Sequence, residues 1–257
     1  MTPDDLAAKL VAAERERSAI APFTDTQPDL DLATAYAAQK AFVQTKLDAG
    51  EHIIGAKLGL TSKVKQQAMG VDAPLAGVVT SGMLAPFGEP IELSDFIHPR
   101  VEPEIAFVLA RDVEAPATVA TVLAATEAVF GAIDVLDSRY EDFRFTLPDV
   151  VADNASAARF LIGPCAAAPR DVVDLRLLGC VLRDDGDVVA TAAGAAVMGH
   201  PAASVAWLAN QLAERGEVLK AGWTVFSGGL TAPIPLRAGS SVTAEFDGLG
   251  AVEVFAR

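Results

Sequence analysis

Two carboxylates lie two residues apart inside an apolar run, HPRVEPEIAFVL, which covers residues 98–109. Because side chains alternate along a strand, Glu102 and Glu104 must point to the same face. Two like charges on a buried face are costly unless water, Arg or Lys partners, or a metal ion accompanies them. The pair alone leaves two interpretations open. One is a cation site, and the other is a solvated strand edge, which Pro103 favours because it donates no ladder hydrogen bond.

A third carboxylate, Asp134, lies in the middle of a second apolar run, GAIDVLDSRY. A ligand set of three carboxylates without His or Cys suits a hard cation such as Mg²⁺ or Mn²⁺. Asp137 is a rival third ligand, but alternation places it on the opposite strand face, where it would pair with Arg139 or cap the turn. The predicted metal ligands are therefore Glu102, Glu104 and Asp134.

Four further segments could contribute to such a site, and each has a simpler alternative. Lys57 in IIGAKLGL would be desolvated by its apolar neighbours, which suits proton transfer, but it could also extend to solvent from a strand edge. Asp72 in MGVDAPLAG and Ser156 in ADNAS could equally form or cap turns. The glycines of SGGLTAP, residues 227–233, allow backbone amides to approach an anion, although a plain loop is the alternative.

The composition restricts the class of protein. The chain has 257 residues, 51% of them hydrophobic, and a formal net charge of −14 from 34 acidic and 20 basic residues. This charge disfavours nucleic acid and anionic membranes, and an anionic substrate would need a bound cation or a few Lys or Arg residues in its pocket. The first twenty residues lack the apolar core of a signal peptide and no window suits a membrane helix, so we expect a cytoplasmic protein. The two cysteines are expected to be free thiols.

The order of elements predicts an α+β fold. Helical spacing and capping residues predict one helix after Thr2 and Pro3 and a second over 32–48 that ends at Gly50. From residue 51 onward, short apolar runs broken by Gly, Pro and Asp predict strands, with helices only over 118–129 and 201–215. We therefore expect a helical segment over 1–50 and a β-rich domain over 51–257. A doubly wound parallel sheet is disfavoured, because helices do not alternate with strands.

Several segments, in this order, resemble the fumarylacetoacetate hydrolase superfamily, and within it the hydratase and decarboxylase group. They are GAKLGLTSKVKQQAMGVDAPLAG, HPRVEPEIAFVL, IDVLDSRYEDFRF, VVADNASAARFLIG and GHPAASVAWLANQLAERGE. The resemblance implies a fumarylacetoacetate hydrolase-like fold of mixed sheets, or β-roll, behind the N-terminal helices. It also implies Mg²⁺ or Mn²⁺ at Glu102, Glu104 and Asp134. That group typically has Glu where this chain has Asp134.

The same resemblance implies roles for the other polar residues. Lys57 matches an active-site lysine, Asp72 matches an aspartate beside the substrate, and Ser156 matches a pocket hydroxyl that hydrogen-bonds substrate or water. Thr231 ends a loop that resembles the substrate-carboxylate loop of the family. Lys57, Asp72 and Ser156 are thus the predicted catalytic residues, and Thr231 is predicted to bind substrate.

The resemblance further implies decarboxylation of 2-oxo-3-hexenedioate (4-oxalocrotonate) in the meta-cleavage degradation of aromatic compounds. Arg139 and Arg144 in DSRYEDFRF could recognise a diacid, and Arg139 is the predicted substrate-binding residue; exposed arginines paired with neighbouring acids are the alternative. Hydration of 2-hydroxy-2,4-pentadienoate and a non-catalytic partner subunit of the same fold also stay open. The family tends to form homo-oligomers and hydratase–decarboxylase complexes, so such partners are expected.

Overall fold

The computed structural model describes residues 1–69, 71, 73–172 and 174–257. The helices in these residues are α1 (Pro3–Glu16), α2 (Leu32–Asp48), α3 (Lys63–Met69), α4 (Val119–Ala125), α5 (Leu147–Ala152) and α6 (Pro201–Ala213). The strands are β1 (Ile53–Gly59), β2 (Leu75–Thr80), β3 (Arg100–Leu109), β4 (Thr126–Leu136), β5 (Ala157–Ala167), β6 (Gly179–Asp184), β7 (Asp187–Ala193), β8 (Thr224–Phe226), β9 (Ile234–Pro235), β10 (Ser241–Phe246) and β11 (Gly250–Phe255).

Two sheets form the body of the molecule, which confirms the predicted α+β class. The larger has the order β2-β1-β8-β3-β4-β5, with β9 also paired to β3, and the smaller has the order β11-β10-β6-β7. The β1–β8 pair is parallel and the other pairs are antiparallel. Strands β10 and β11 pack against β4 and β5. A side chain at Gly131 would overlap the ring of Phe246, so this close approach of the sheets requires glycine.

The N-terminal helices begin where the sequence supplies caps. The Thr2 and Asp5 side chains each accept a hydrogen bond from the other's backbone N–H, and the Asp31 side chain caps α2. The apolar faces of α1 and α2 then share one buried cluster with α5 and Tyr140. This cluster attaches the helical segment to the sheet region, while the predicted domain boundary near residue 50 stays a prediction.

Strand β3 lies inside the larger sheet, so the prediction that Pro103 marks a strand end or sheet edge is wrong. Strand β4 pairs along one side of β3, while β8 and β9 pair only near its two ends on the other side. Between them a loop takes over, in which the N–H of Leu230 donates to the Pro103 carbonyl and that of Ser227 to the Ile105 carbonyl. The N and O atoms of one strand residue point to the same side of the strand. The N–H that proline lacks would therefore face the interrupted side of β3, where no strand pairs with Pro103.

Two short helices were not predicted, and one predicted helix is too long. The helix predicted over 118–129 ends at Ala125, and residues 126–129 begin β4 because they pair with β3 and β5. Helices α3 and α5 have seven and six residues, too few to show the 3.6-residue period. Among the described residues, no helix is both long and apolar enough to cross a bilayer.

A buried carboxylate joins the N-terminal segment to α5. Asp149 accepts hydrogen bonds from the backbone N–H and the hydroxyl of both Thr24 and Thr146. We expect Asp149→Ala to lower the free energy of unfolding by about 2–4 kcal/mol, because four donors lose a charged acceptor. Urea denaturation measures this change. Asp29→Ala, an exposed position in the same segment, is the control; equal losses in both variants would contradict the assignment.

Candidate active site

The register of β3 and β4 brings the three predicted metal ligands together. Glu102 lies directly opposite Asp134 in the antiparallel ladder, and Glu104 follows two residues along the same face. One carboxylate oxygen from each residue lies within 4.8 Å of those from the other two. Glu102 is 5% exposed, and Glu104 and Asp134 are 0% exposed, which excludes the solvated edge. The short Asp134 side chain reaches the cluster because its backbone pairs directly with that of Glu102.

Two lysines partly neutralise this acidic cluster. The Nζ atom of Lys57, on β1, lies 2.5 Å from Oδ2 of Asp134 and donates a 2.9 Å hydrogen bond to the Ala155 carbonyl. The Nζ atom of Lys65, on α3, lies 2.6 Å from Oε2 of Glu102. The Lys57 side chain is 1% exposed, whereas that of Lys65 is 22% exposed. Three carboxylates and two ammonium groups leave one net negative charge when all are ionised.

Lys65 is the functional candidate that prediction from the sequence missed. It lies in SKVK, where two lysines follow GLT closely in an otherwise acidic chain. That local excess of positive charge was the available signal. Its partner Glu102 is 37 residues away along the chain, so only the folded structure identifies the pair.

Burial disfavours ionisation of the cluster in the absence of a cation. Desolvation raises the pKa of Glu104 well above its usual range, and the charges of Asp134 and Glu102 raise it further. Burial also raises the pKa of Asp134 to about 6, although the neighbouring Lys57 ammonium opposes this shift. The cluster is therefore poised to bind protons or a cation.

The free oxygens of the cluster fit a divalent cation. Oε1 of Glu104 and Oδ1 of Asp134 are buried and have no hydrogen-bond partner among the described residues. Such atoms are costly unless a ligand satisfies them, and carboxylate oxygens are what Mg²⁺ and similar hard ions prefer. The loop over 227–233 approaches closely: the Gly228 N–H donates to Oε2 of Glu104 at 2.8 Å, and a side chain at Gly229 would overlap Glu102. The donor set can hold a cation on a rigid pair of strands.

A cavity of about 760 Å³ lies beside the cluster. Lys65 and Gly229 line it and also contact Glu102, and Thr231 lines it from the same loop. The Thr231 hydroxyl donates to the Ala232 carbonyl. The structure thus brings Thr231 to the cavity beside the carboxylates. The backbone N–H of Gly228, in the loop predicted to approach an anion, instead donates to Glu104.

Other predicted site residues lie away from the cavity or outside the described residues. The buried Ser156 hydroxyl donates to Oδ2 of Asp153 at 3.0 Å. Arg139 is 1% exposed; its Nε lies 2.5 Å from Oδ1 of Asp153, and its terminal nitrogens donate to three backbone carbonyls. This arrangement gives no support to substrate binding by Arg139. Asp72 lies outside the described residues.

Two other polar residues of the DSRYEDFRF segment form hydrogen bonds to distant parts of the chain. The Asp137 carboxylate accepts hydrogen bonds from the backbone N–H groups of Ile97 and His98. It therefore binds the backbone before β3 and does not form an ion pair with Arg139, which is paired with Asp153. Arg144 is exposed and binds Asp25 through two hydrogen bonds of 2.8 and 2.6 Å, instead of its acidic sequence neighbours. The alternative interpretation, an exposed arginine in an ion pair, is therefore correct for Arg144, but its partner is Asp25 and not a neighbouring acid.

A family model described as "Fumarylacetoacetate (FAA) hydrolase C-terminal" matches residues 52–254. The chain belongs to the fumarylacetoacetate hydrolase family. That membership agrees with the mixed sheets behind two N-terminal helices, and it confirms the predicted fold class.

Two groups of enzymes in this family are similar to the chain. It is 43% identical to a 4-oxalocrotonate decarboxylase of Pseudomonas sp. strain CF600, and 40% identical to a 2-keto-4-pentenoate hydratase of Burkholderia vietnamiensis; each match covers 96% of this chain and 94% of the relative. A solved structure of 4-oxalocrotonate decarboxylase from Pseudomonas putida G7, complexed with magnesium and adipate, superposes with a TM-score of 0.96 at 40% identity, covering 99% of this chain and 97% of that one. Decarboxylases and hydratases therefore share this fold.

Cation binding should depend on Glu104. We expect Glu104→Gln to weaken Mg²⁺ or Mn²⁺ binding by about tenfold or more, because an anionic ligand is lost with little change in volume. Calorimetric titration measures the affinity. Glu127→Gln, an exposed position on β4, is the matched control and should bind like the wild type. Unchanged affinity in Glu104→Gln would refute the site.

Cation affinity should also fall as the pH falls through about 6. The pKa of Asp134 in the folded protein is raised from its ordinary value of 3.8 to about 6, so between these pH values the cation-free native state holds a proton that the unfolded chain has lost. This group therefore favours the cation-free fold as the pH drops from about 6 towards 4, while a cation must displace its proton. Titrations in buffers of different ionisation enthalpy should detect proton release. An affinity independent of pH over this range would contradict the prediction.

Proposed function

We propose that the chain is a divalent-cation-dependent decarboxylase that converts 4-oxalocrotonate to 2-hydroxy-2,4-pentadienoate and CO₂ in the degradation of aromatic compounds. The observation that carries this proposal is the buried cluster of Glu102, Glu104 and Asp134 beside a cavity that also holds lysines. The similarity to decarboxylases over nearly the whole chain supports it. Solved structures of the decarboxylase of Pseudomonas putida G7 hold magnesium with adipate or calcium with acetate. Magnesium is the proposed ion, because it accompanies the six-carbon diacid; manganese stays a prediction.

Decarboxylation shifts electron pairs along the substrate, from the C5–C6 bond to the 2-oxo oxygen. The C5–C6 bond breaks and CO₂ leaves, a double bond forms between C4 and C5, the C3=C4 pair shifts to C2=C3, and negative charge reaches the 2-oxo oxygen. Protonation of that oxygen gives 2-hydroxy-2,4-pentadienoate. The divalent cation, held by Glu102, Glu104 and Asp134, would supply a Lewis acid for this charge.

The chain's own groups account for the other requirements. Lys57 is buried beside Asp134, and we assign its ammonium to stabilising charge at the 2-oxo oxygen or delivering the proton there. Thr231 lines the cavity, and we assign its hydroxyl to the 2-oxo acid end of the substrate. Direct roles for Asp72 and Ser156 stay predictions.

The distal carboxylate of the substrate needs a second cation, and the cavity offers two lysines. Lys63 and Lys65 both line it, whereas Arg139 and Arg144 are each committed to an aspartate elsewhere. Lys65 is also paired, but its partner Glu102 is a predicted cation ligand, so a bound cation would compete for that carboxylate and release the ammonium towards the substrate. We therefore assign recognition of the distal carboxylate to Lys65, which also reconciles an acidic protein with a doubly anionic substrate.

Hydration of 2-hydroxy-2,4-pentadienoate is the second candidate function. The 40% identity to a hydratase over the same share of the chain favours it, and the same carboxylates and Lys57 would serve either reaction. A non-catalytic partner subunit is the third alternative. Homo-oligomerisation, a complex with a cognate hydratase and a cytoplasmic location stay predictions.

Turnover assays distinguish these alternatives. With Mg²⁺, the pure protein is expected to release CO₂ from 4-oxalocrotonate, and Glu104→Gln is expected to lose that activity while remaining folded. Hydration of 2-hydroxy-2,4-pentadienoate without CO₂ release from the diacid would instead establish the hydratase. Absence of both reactions in a protein that binds Mg²⁺ would support the non-catalytic subunit.

Lys65→Met tests recognition of the distal carboxylate. We expect it to raise KM for 4-oxalocrotonate by about tenfold or more, because the partner of one substrate charge is lost. In calorimetry with Mg²⁺ present, the variant should also lose the preference of the wild type for adipate over hexanoate. Lys9→Met, an exposed position on α1, is the control. If Lys65→Met binds the cation more tightly but still prefers adipate to hexanoate, Lys65 neutralises Glu102 and does not bind the distal carboxylate.

A further inference from the structure

Three consecutive residues between α5 and β5 have left-handed backbone conformations, although none is glycine. Asn154, Ala155 and Ser156 have φ values of 50°, 57° and 54°. Residues with a Cβ seldom enter this region, and runs of them persist only where the surrounding structure enforces them. We call residues 153–156 the left-handed turn.

Side chains hold the left-handed turn from both sides. On one side, the Asn154 amide binds Val78 of β2 as a paired strand would: its Oδ1 accepts from the Val78 N–H at 2.7 Å and its Nδ2 donates to the Val78 carbonyl at 2.9 Å. On the other side, the carboxylate of Asp153 accepts from the Ser156 hydroxyl and is paired with Arg139. All these polar groups except those of Val78 belong to buried residues.

The left-handed turn presents one group towards the active site, the carbonyl of Ala155. This carbonyl accepts the 2.9 Å hydrogen bond from Nζ of Lys57, whose other partner is Asp134. Gly77 lies directly opposite Lys57 in the β1–β2 ladder, between Lys57 and the left-handed turn. A Cβ at this position would lie 2.7 Å from the Asn154 carbonyl oxygen and 3.1 Å from Cγ of Lys57, so only glycine fits without displacing them.

We propose that the left-handed turn, held by the Arg139–Asp153 ion pair, positions the Lys57 ammonium against Asp134. A lysine side chain has four rotatable bonds, and two fixed acceptors restrict its ammonium to one place. Arg139 and Asn154 are then positioning residues that act through Lys57. This inference rests on the role proposed above for Lys57 and replaces the predicted contact of Arg139 with substrate.

Gly77→Ala is the sharpest test, because the added methyl group displaces both the turn and Lys57. We expect kcat for 4-oxalocrotonate to fall about tenfold or more, with KM changing less than about twofold because the substrate-binding groups are untouched. Gly179→Ala, on β6 where a Cβ meets no atom of the described residues within 4 Å, is the matched control and should keep wild-type kcat. If Gly77→Ala does not fold, Asn154→Ala tests the same link by removing both bonds to Val78.

A double-mutant cycle with Lys57→Met separates positioning from general loss of structure. If the turn acts through Lys57, Asn154→Ala, which does not touch Lys57, should lower kcat in the wild-type background and not further in Lys57→Met. Additive losses would overturn the inference.

A crystal structure of Gly77→Ala gives a readout independent of activity. The distance from Lys57 Nζ to the Ala155 carbonyl should increase while Glu102, Glu104 and Asp134 stay in place. An unmoved Lys57 would overturn the inference even if the enzyme is active. A wild-type protein without turnover would overturn only the proposed function.

Discussion

Three carboxylates buried on one face of a strand pair repel each other and are shielded from solvent. The surrounding structure lowers this electrostatic cost by placing positive and hydrogen-bonding groups beside them. Lys57 approaches from β1 and Lys65 from α3, and a loop between β8 and β9 contributes a backbone N–H. These partners do not satisfy every oxygen, since Glu104 and Asp134 each keep one unpaired among the described residues. A bound cation would satisfy these free oxygens, so a cluster that is unfavourable in isolation suits metal-dependent chemistry.

The scaffold makes the cluster rigid and leaves one side open. Strand β4 pairs along the whole of β3, and the smaller sheet packs behind β4 and β5. The other side of β3 is interrupted beside Pro103, and this interruption brings the glycine-rich loop onto the carboxylates. Lys57 is restrained by the left-handed turn. The carboxylates are therefore held on paired strands, while the neighbouring cavity leaves room for a ligand.

Prediction from the sequence succeeded where an interaction is local. The limits of α2 and the cap at Thr2 depend on residues a few positions apart, and both were confirmed. It failed where distant segments decide the structure. Helix α4 ends earlier than predicted, because residues from Thr126 onward pair with other strands. Pro103 was wrongly predicted to lie at an edge, because a rule about one residue cannot detect that the neighbouring strand is interrupted.

The sequence alone determined the ligand types and their common face, because alternation along β3 requires Glu102 and Glu104 to point the same way. It also carried the family resemblance that the comparisons confirmed. Only the tertiary structure decided which charges meet: the opposition of Asp134 to Glu102, the pairing of Lys65 with Glu102, and the burial of Arg139 away from the cavity. The physical reason is that ion pairs depend on distance in space, and these pairs are set by strand register and packing between segments far apart in the chain.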